Sequence, residues 1–175
     1  MKFTRHIRKI SLTRFTALAI VGLALATTAS SRTQPTEGEK RLTPSEFDFA
    51  GGHKGGTGTS GVKGIETVVL KGDPKRPGLY TILLRVPAHT RIAAHTHPDD
   101  RVATVISGTW RIGYGQTFRE DRLKALTPGS FYTEPAGDSH FAETKATPVV
   151  VEITGYGPSG TTYNDPNTDP AKHSK

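Results

Sequence analysis

Three of the seven histidines in this 175-residue sequence stand where they could share one metal ion. His95 and His97 lie two residues apart in Arg-Ile-Ala-Ala-His-Thr-His-Pro, a segment with the composition of a strand. Because side chains alternate between the two faces of a strand, both imidazoles are expected on one face, with Cα atoms about 6.5 Å apart. His140 follows a predicted tight turn at Gly137. Three protein ligands with open coordination positions are typical of a catalytic metal site.

Other kinds of site find less support in the sequence. The chain has no cysteine, which excludes disulfides, a thiolate nucleophile and cysteine-ligated zinc or iron–sulfur centres. Asp138, Ser139 and His140 are the residue types of a hydrolytic triad, but adjacency in sequence is not triad geometry, and no G-x-S-x-G elbow occurs. Glu134 could act as a general base or as the partner of a histidine, and a surface carboxylate is the equal alternative.

The elements that must position the histidines follow a glycine-rich stretch that ends at Gly61. Short runs rich in Val, Ile, Thr, Tyr and Phe alternate there with turn signals made of Gly, Pro and Asp, and no helical period is sustained. The predicted strands are Ile65–Leu70, Leu79–Val86, Arg91–His97, Val102–Ile106, Thr109–Tyr114, Ser130–Glu134, Ser139–Glu143 and Val149–Thr154. Eight strands at this spacing predict an all-β, antiparallel jelly roll or small barrel.

The first 30 residues have the pattern of a secretory signal peptide. Residues 1–14 carry five basic and no acidic residues, and a twelve-residue apolar run, Phe15–Ala26, is followed by small residues. The run is short for a membrane span, and an uncleaved anchor is the alternative. Removal of residues 1–30 takes away five of the seven net positive charges, so no nucleic-acid partner is expected. We expect a periplasmic or secreted protein with no membrane association after cleavage.

The chain is therefore divided into four parts. Residues 1–30 are the predicted signal peptide, and 31–61 are a polar, glycine-rich linker. Residues 62–156 form the β-barrel domain. Residues 157–175, rich in Pro, Asn and Asp, are expected to lie over the surface or to be disordered as a C-terminal tail.

Two blocks of the predicted barrel resemble the two motifs of the cupin superfamily, small β-barrels that commonly hold a divalent metal. The first motif reads G-x5-H-x-H-x3,4-E-x6-G, and the chain matches it at His95, His97 and Gly108. The second reads G-x5-P-x-G-x2-H-x3-N, and the chain matches it at Gly129, Pro135, Gly137 and His140. His89 and Thr144 replace the first glycine and the last asparagine. The resemblance implies a double-stranded β-helix with the three histidines as metal ligands.

Arg101 stands where the first motif has the glutamate that usually ligates the metal. A guanidinium cannot ligate, because it stays protonated and has no free lone pair. Either Arg101 faces into the barrel and holds an anionic substrate together with the metal, or it faces outward and is only solvated. Separately, Asp99 or Asp100 replaces the glutamate if a bulge shifts the register. A barrel that has lost its metal is a further alternative, against which the three histidines argue.

We thus expect an exported, metal-binding cupin that is a small-molecule enzyme, either dioxygenase-like or isomerase/lyase-like. A non-catalytic periplasmic module that binds or senses a metal or small ligand is the alternative. One divalent ion (Fe, Mn, Zn, Ni or Cu) would be held by His95, His97 and His140, with Arg101 and Glu134 as the candidate catalytic residues. Small cupins often dimerise through their sheets, so the resemblance also implies a homodimer.

Overall fold

The computed structural model describes residues 38–50, 53–54 and 57–173, with backbone alone at 53–54. The predicted signal peptide, residues 1–30, lies outside these ranges, as does the first part of the predicted linker. Within the described ranges, we find no helix with the length and apolar character needed to cross a bilayer.

The described residues include eleven strands and four short 3-10 turns. The strands are β1 His53–Lys54, β2 Glu66–Lys71, β3 Gly78–Val86, β4 Arg91–Thr96, β5 Arg101–Ser107, β6 Trp110–Tyr114, β7 Lys124–Leu126, β8 Phe131–Glu134, β9 His140–Glu143, β10 Val149–Gly157 and β11 Thr162–Tyr163. The 3-10 turns are Pro44–Glu46, Glu120–Arg122, Pro166–Thr168 and Pro170–Lys172. The predicted all-β class is confirmed, and each of the eight predicted strands coincides in large part with an observed one.

The strands form two antiparallel sheets. The six-stranded sheet has the order β1-β2-β3-β10-β5-β8, and the five-stranded sheet has the order β11-β4-β9-β6-β7. Strict alternation turns Val149, Val151 and Ile153 of β10 inward, while the residues between them are half-buried. The core fills the space between the sheets with side chains such as Ile82 and Trp110. This arrangement is the jelly-roll barrel that the sequence predicts.

The barrel extends beyond the two boundaries expected from the sequence. Within the expected tail, β11 pairs with β4, with Tyr163 opposite His95. The Tyr163 hydroxyl donates a 2.6 Å hydrogen bond to the carbonyl of Ser60, and the Thr161 hydroxyl donates one of 2.7 Å to the carbonyl of Thr59. Thr59 and Ser60, at the end of the expected linker, are both buried. A two-residue strand has too short a pattern to be recognised in a sequence, and its position depends on these long-range bonds.

Candidate metal centre

The three predicted ligands come together inside the barrel. His95 lies on β4, His97 directly follows that strand, and His140 begins β9, where it is the register partner of His95. All three side chains are buried, and each offers a ring nitrogen within 4.8 Å of those of the other two. The spacing of the sequence motif therefore translates into one cluster of imidazoles, as expected.

A bulge in β4 turns His95 toward the interior. Ile92 and Ala94 are buried, so simple alternation would send His95 to the opposite face. The register against β9 shifts between Ile92 and His95, and the extra residue in the ladder reverses the alternation at that point. His95 and His97 consequently both face the core. The two-residue spacing places the histidines on one face, and the bulge decides which face that is.

The turn before β9 places His140. The amide of Asp138 donates a 3.0 Å hydrogen bond to the carbonyl of Pro135, and Gly137 occupies the third position of this turn with φ of +76°. A type II turn requires positive φ at that position, which favours glycine. The Gly137 amide donates in turn to the carbonyl of His97, at 2.8 Å. The turn thus connects the backbone of one ligand to the start of the strand that carries another.

The hydrogen bonds of the rings leave their inner nitrogens free to ligate. Nδ1 of His95 lies 2.8 Å from a backbone carbonyl two residues earlier, and Nδ1 of His97 lies 2.5 Å from the carbonyl of Gly160. His140 makes a longer contact of the same kind, at 3.4 Å. Since a carbonyl only accepts, each Nδ1 carries the proton and each Nε2 keeps its lone pair. Carbonyl partners of this kind orient metal-ligating histidines.

The protonation state of the rings also suits a metal. Burial lowers the pKa of His95 to about 3 and that of His97 to about 2, and burial lowers the pKa of His140 as well. All three imidazoles are therefore neutral near pH 7, as metal ligation requires. Nε2 of His97 and of His140 are buried and find no hydrogen-bond partner among the described residues. Because an unpartnered buried polar atom is costly, this donor set fits a metal ion.

Arg101 faces the interior, opposite the histidines. It begins β5 in the six-stranded sheet and is the register partner of Glu134, the last residue of β8. Its Nε donates a 2.8 Å hydrogen bond to Oε2 of Glu134, and its Nη2 donates to the same oxygen. Its Nη1 donates to the carbonyl of Gly58, at 2.8 Å. The inward alternative is therefore the observed one, but the guanidinium contacts a carboxylate of the protein itself.

Glu134 connects this ion pair to the histidines. Its Oε1 lies 3.6 Å from Nε2 of His140, and its Oε2 lies 3.8 Å from Nε2 of His97. Burial by itself would raise the pKa of Glu134, but Arg101 and the two histidines together lower it to about 2. In the same way burial disfavours the charge on Arg101, and the Glu134 carboxylate more than offsets this, so its pKa is raised. Both groups are charged inside the barrel.

Neither aspartate that follows His97 takes the place of the missing glutamate. Asp99 is buried, but its Oδ2 accepts a 2.7 Å hydrogen bond from the Tyr80 hydroxyl. Asp100 is exposed, and its Oδ1 accepts from the amide of Ala136, at 2.8 Å. Among the described residues, neither joins the cluster of histidine nitrogens. The alternative that one of them replaces the glutamate finds no support in the cluster, which consists of the three histidines, although Oδ1 of Asp99 is buried without a hydrogen-bond partner among the described residues.

The space around the histidines is small. A cavity of about 20 Å³ lies between the sheets, lined by residues that include His95, His140, Glu134, Arg101 and Trp110. This is room for about one water molecule or one ion. Gly58 and Ser60, near the end of the glycine-rich stretch, contribute to its lining. The sequence gives little sign of this role, because glycine-rich stretches usually form linkers.

A larger groove of about 610 Å³ lies elsewhere on the protein. Its lining includes Arg91, Phe118 and Tyr163 and contains none of the three clustered histidines. The guanidinium carbon of Arg91 lies 3.6 Å from the centre of the Phe118 ring. The volume of this groove exceeds that of the histidine cavity, but the ligating nitrogens all lie in the interior.

Comparisons with known proteins bear on the fold. No protein-family model matches the chain, and no curated protein matches it. Among solved structures, the chain is similar to the DMSP lyase DddQ from Ruegeria pomeroyi DSS-3, with a TM-score of 0.50 and 18% identity over 70% of this chain and 58% of that one. A sugar phosphate isomerase from a cupin superfamily, from Silicibacter pomeroyi DSS-3, matches with a TM-score of 0.46 and 17% identity over 58% and 66% of the two chains.

A third similar structure is salicylate 1,2-dioxygenase from Pseudaminobacter salicylatoxidans, with a TM-score of 0.47 and 16% identity over 58% of this chain and 30% of that one. This chain thus spans less than two thirds of the length of each of these three proteins. At such identities the similarity concerns the fold alone. The similarity to DddQ, at a TM-score of 0.50, and the pair of antiparallel sheets together show a jelly-roll barrel of the cupin type.

Proposed function

We propose that this protein is an exported cupin that binds one divalent metal ion through His95, His97 and His140 and uses it to act on a small molecule. One observation carries the proposal: three buried, neutral imidazoles converge within 4.8 Å, and two of their Nε2 atoms have no hydrogen-bond partner among the described residues. When bound, a divalent ion supplies Lewis acidity that polarises a substrate oxygen. The proposal of export depends on the pattern of residues 1–30 alone.

The chain's own residues would divide the work between the two sheets. The histidines, on the five-stranded sheet, hold the ion and stay neutral through burial and their Nδ1 bonds. Glu134, on the six-stranded sheet, would place an ionised carboxylate beside the ion. Arg101 keeps that carboxylate ionised and in place. The cavity has room for about one water molecule or one ion, so the enzymatic proposal requires that the barrel open to admit a substrate.

A second candidate function is a module that holds a metal without turnover. The observation in its favour is the volume of about 20 Å³ around the histidines, which leaves no room for an organic substrate in the closed barrel. Such a module would need no open route to the ion, whereas an enzyme needs one. The two candidates therefore differ in whether a small solute can reach the bound metal.

Elemental analysis tests the metal site and export together. The full chain is expressed in a Gram-negative host, recovered from the periplasmic fraction and purified without a nickel column or chelator. We expect about one equivalent of a single metal, lost in the triple alanine variant at His95, His97 and His140 and kept in the matched variant His173→Ala, whose histidine is exposed. Recovery from the cytoplasm alone would overturn export. Absence of metal from the wild type, even after reconstitution, would overturn the metal site.

Access to the ion separates the enzyme from the metal-holding module. The protein is loaded with Co²⁺, whose visible absorption reports its ligands, and is titrated with azide as a small anionic probe. An enzyme with an open coordination position is expected to show a saturable change in the cobalt bands. Bands that stay unchanged at saturating azide would contradict the enzymatic proposal and favour the metal-holding module.

A further inference from the structure

The carboxylate nearest to the three histidines comes from β8, on the sheet opposite them. The cupin motif has its glutamate at the position of Arg101, and this chain carries a cation there. Arg101 and Glu134 are direct partners in the ladder of β5 and β8, so their side chains lie next to each other on the inner face of the sheet. The acidic group is thus displaced by one strand but remains inside the barrel.

The distances place this carboxylate at ligand spacing from two histidines. Two ligand atoms that each bind one divalent ion at about 2.1 Å lie roughly 3–3.5 Å apart. Oε1 of Glu134 is 3.6 Å from Nε2 of His140, and Oε2 is 3.8 Å from Nε2 of His97. Both of these Nε2 atoms are the buried ones without a hydrogen-bond partner. The free nitrogens and the carboxylate therefore face one common space.

We propose that Glu134 supplies a fourth protein ligand to the metal, and that Arg101 is a positioning residue that holds the Glu134 carboxylate toward the histidines. This inference rests on the proposed function, since it requires that the histidines bind a metal. The centre is then a three-histidine, one-carboxylate site whose carboxylate does not come from the first motif.

The hydrogen bonds of Arg101 explain how one oxygen stays available. Nε and Nη2 of Arg101 both donate to Oε2 of Glu134. The other carboxylate oxygen, Oε1, instead faces Nε2 of His140. Arg101 thus holds the carboxylate by one oxygen and leaves Oε1 for the ion. The remaining guanidinium nitrogen of Arg101, Nη1, donates to the carbonyl of Gly58. A guanidinium engaged on both sides in this way is not free to clamp the anion of a substrate.

Charge supports the same assignment. A buried arginine beside a divalent cation is unfavourable unless an anion separates or bridges them. Glu134 contacts both Arg101 and the histidines, so it is placed to bridge the two cations. Asp99, the other buried aspartate or glutamate close to Arg101, accepts from Tyr80 instead. Within the described residues, Glu134 is therefore the carboxylate placed to contact both the guanidinium of Arg101 and the metal-binding nitrogens of the histidines.

Cobalt titration of variants tests the fourth ligand. Metal-free wild type, Glu134→Gln and the triple histidine variant are titrated with Co²⁺, and affinity and visible absorption are recorded. The matched control is Glu143→Gln, since Glu143 is also a buried glutamate held by an arginine, Arg111, at 2.9 Å, but lies outside the histidine cluster. We expect Glu134→Gln to weaken Co²⁺ binding at least tenfold and to change the cobalt bands. Glu143→Gln should leave both unchanged.

Each outcome separates this inference from the proposed function. Wild-type affinity and bands in Glu134→Gln, with cobalt binding lost in the triple histidine variant, would overturn the fourth ligand and leave the metal site intact. Failure of the wild type to bind Co²⁺ would overturn the proposed function itself.

Two further variants test the positioning role and guard against a misfolded Glu134→Gln protein. Arg101→Met keeps the carboxylate but removes its hydrogen-bond donors, and we expect it to bind Co²⁺ with altered bands and weaker affinity. Bands identical to the wild type would overturn the role of Arg101. Glu134→Asp keeps the charge but withdraws the carboxylate by one methylene, so it should fold and bind Co²⁺ with bands that differ from the wild type. Bands identical to the wild type in Glu134→Asp would overturn Glu134 as a ligand.

Discussion

Acid should destabilise the metal-free protein through its buried histidines. The native pKa is about 3 for His95 and about 2 for His97, against an ordinary value of 6.5. At pH 5 both rings are neutral in the native protein, while they take up protons in the unfolded chain. A state that binds more protons is favoured as pH falls, so the free energy of unfolding decreases below pH 6.5 and continues to decrease until the native pKa values are reached.

The expected magnitude is large for a protein of this size. Each histidine contributes about 1.4 kcal/mol per pH unit well below its unfolded pKa, so the two together contribute about 4 kcal/mol between pH 7 and pH 5. His140, whose pKa is also lowered by burial, acts in the same direction. Total stabilities are about 5–15 kcal/mol. Glu134 acts at lower pH, since its contribution is present above the ordinary value of 4.5 and is lost as pH falls toward its native pKa of about 2.

Urea unfolding of the chelator-treated protein at pH 7, 6 and 5 measures this effect. The single tryptophan, Trp110, is buried and provides the fluorescence signal. The matched protein is His95→Gln/His97→Gln, because glutamine is polar but does not titrate. We expect the wild type to lose about 4 kcal/mol more than this variant between pH 7 and pH 5. Equal losses in the two proteins would refute the argument that these rings stay neutral in the native state.

Three further substitutions test other parts of the structure. In Arg101→Met the carboxylate of Glu134 loses its buried partner, so the metal-free protein should lose about 3–5 kcal/mol in urea unfolding at pH 7, and a loss below 1 kcal/mol would contradict the buried pair. A Cβ at Gly155 would lie 2.6 Å from the Tyr80 hydroxyl and 2.8 Å from Oδ2 of Asp99, so Gly155→Ala should cost about 1–3 kcal/mol. Gly38→Ala, where a Cβ meets nothing within 4 Å, is its neutral control. Tyr163→Phe removes the hydrogen bond to Ser60 and should cost about 0.5–1.5 kcal/mol. In the Tyr163→Phe protein, the backbone amides of residues 57–61 should exchange hydrogen faster than in the wild type, as measured by mass spectrometry. Unchanged exchange would show that this hydrogen bond does not hold the segment.

Most of the barrel could be predicted because its strands are long enough to show a pattern. β10 begins with a segment rich in Val, Ile and Thr residues between turn signals, and this β-branched composition is typical of a strand. The three residues of β7 and the two of β11 are too short to show any period. Their strand conformation depends on pairing with β6 and β4, which are distant in sequence.

The candidate metal centre, too, was predictable from the sequence only in part. The two-residue spacing of His95 and His97 predicts that both imidazoles lie on one face of a strand, and the resemblance to the cupin motifs implies that His140 joins them. The sequence could not tell that a bulge in β4 turns the first two histidines inward, or that Arg101 faces Glu134.

Local residue patterns thus determined the all-β class, the positions of the longer strands and the three imidazoles. The register between distant strands and the closure of the two sheets determined which charge lies beside which ligand. Glu134 illustrates the difference, since 33 residues separate it from Arg101 and the ladder of β5 and β8 brings them together. A side chain's own sequence neighbourhood sets its local conformation, but its electrostatic partner is chosen by the packing of the whole barrel.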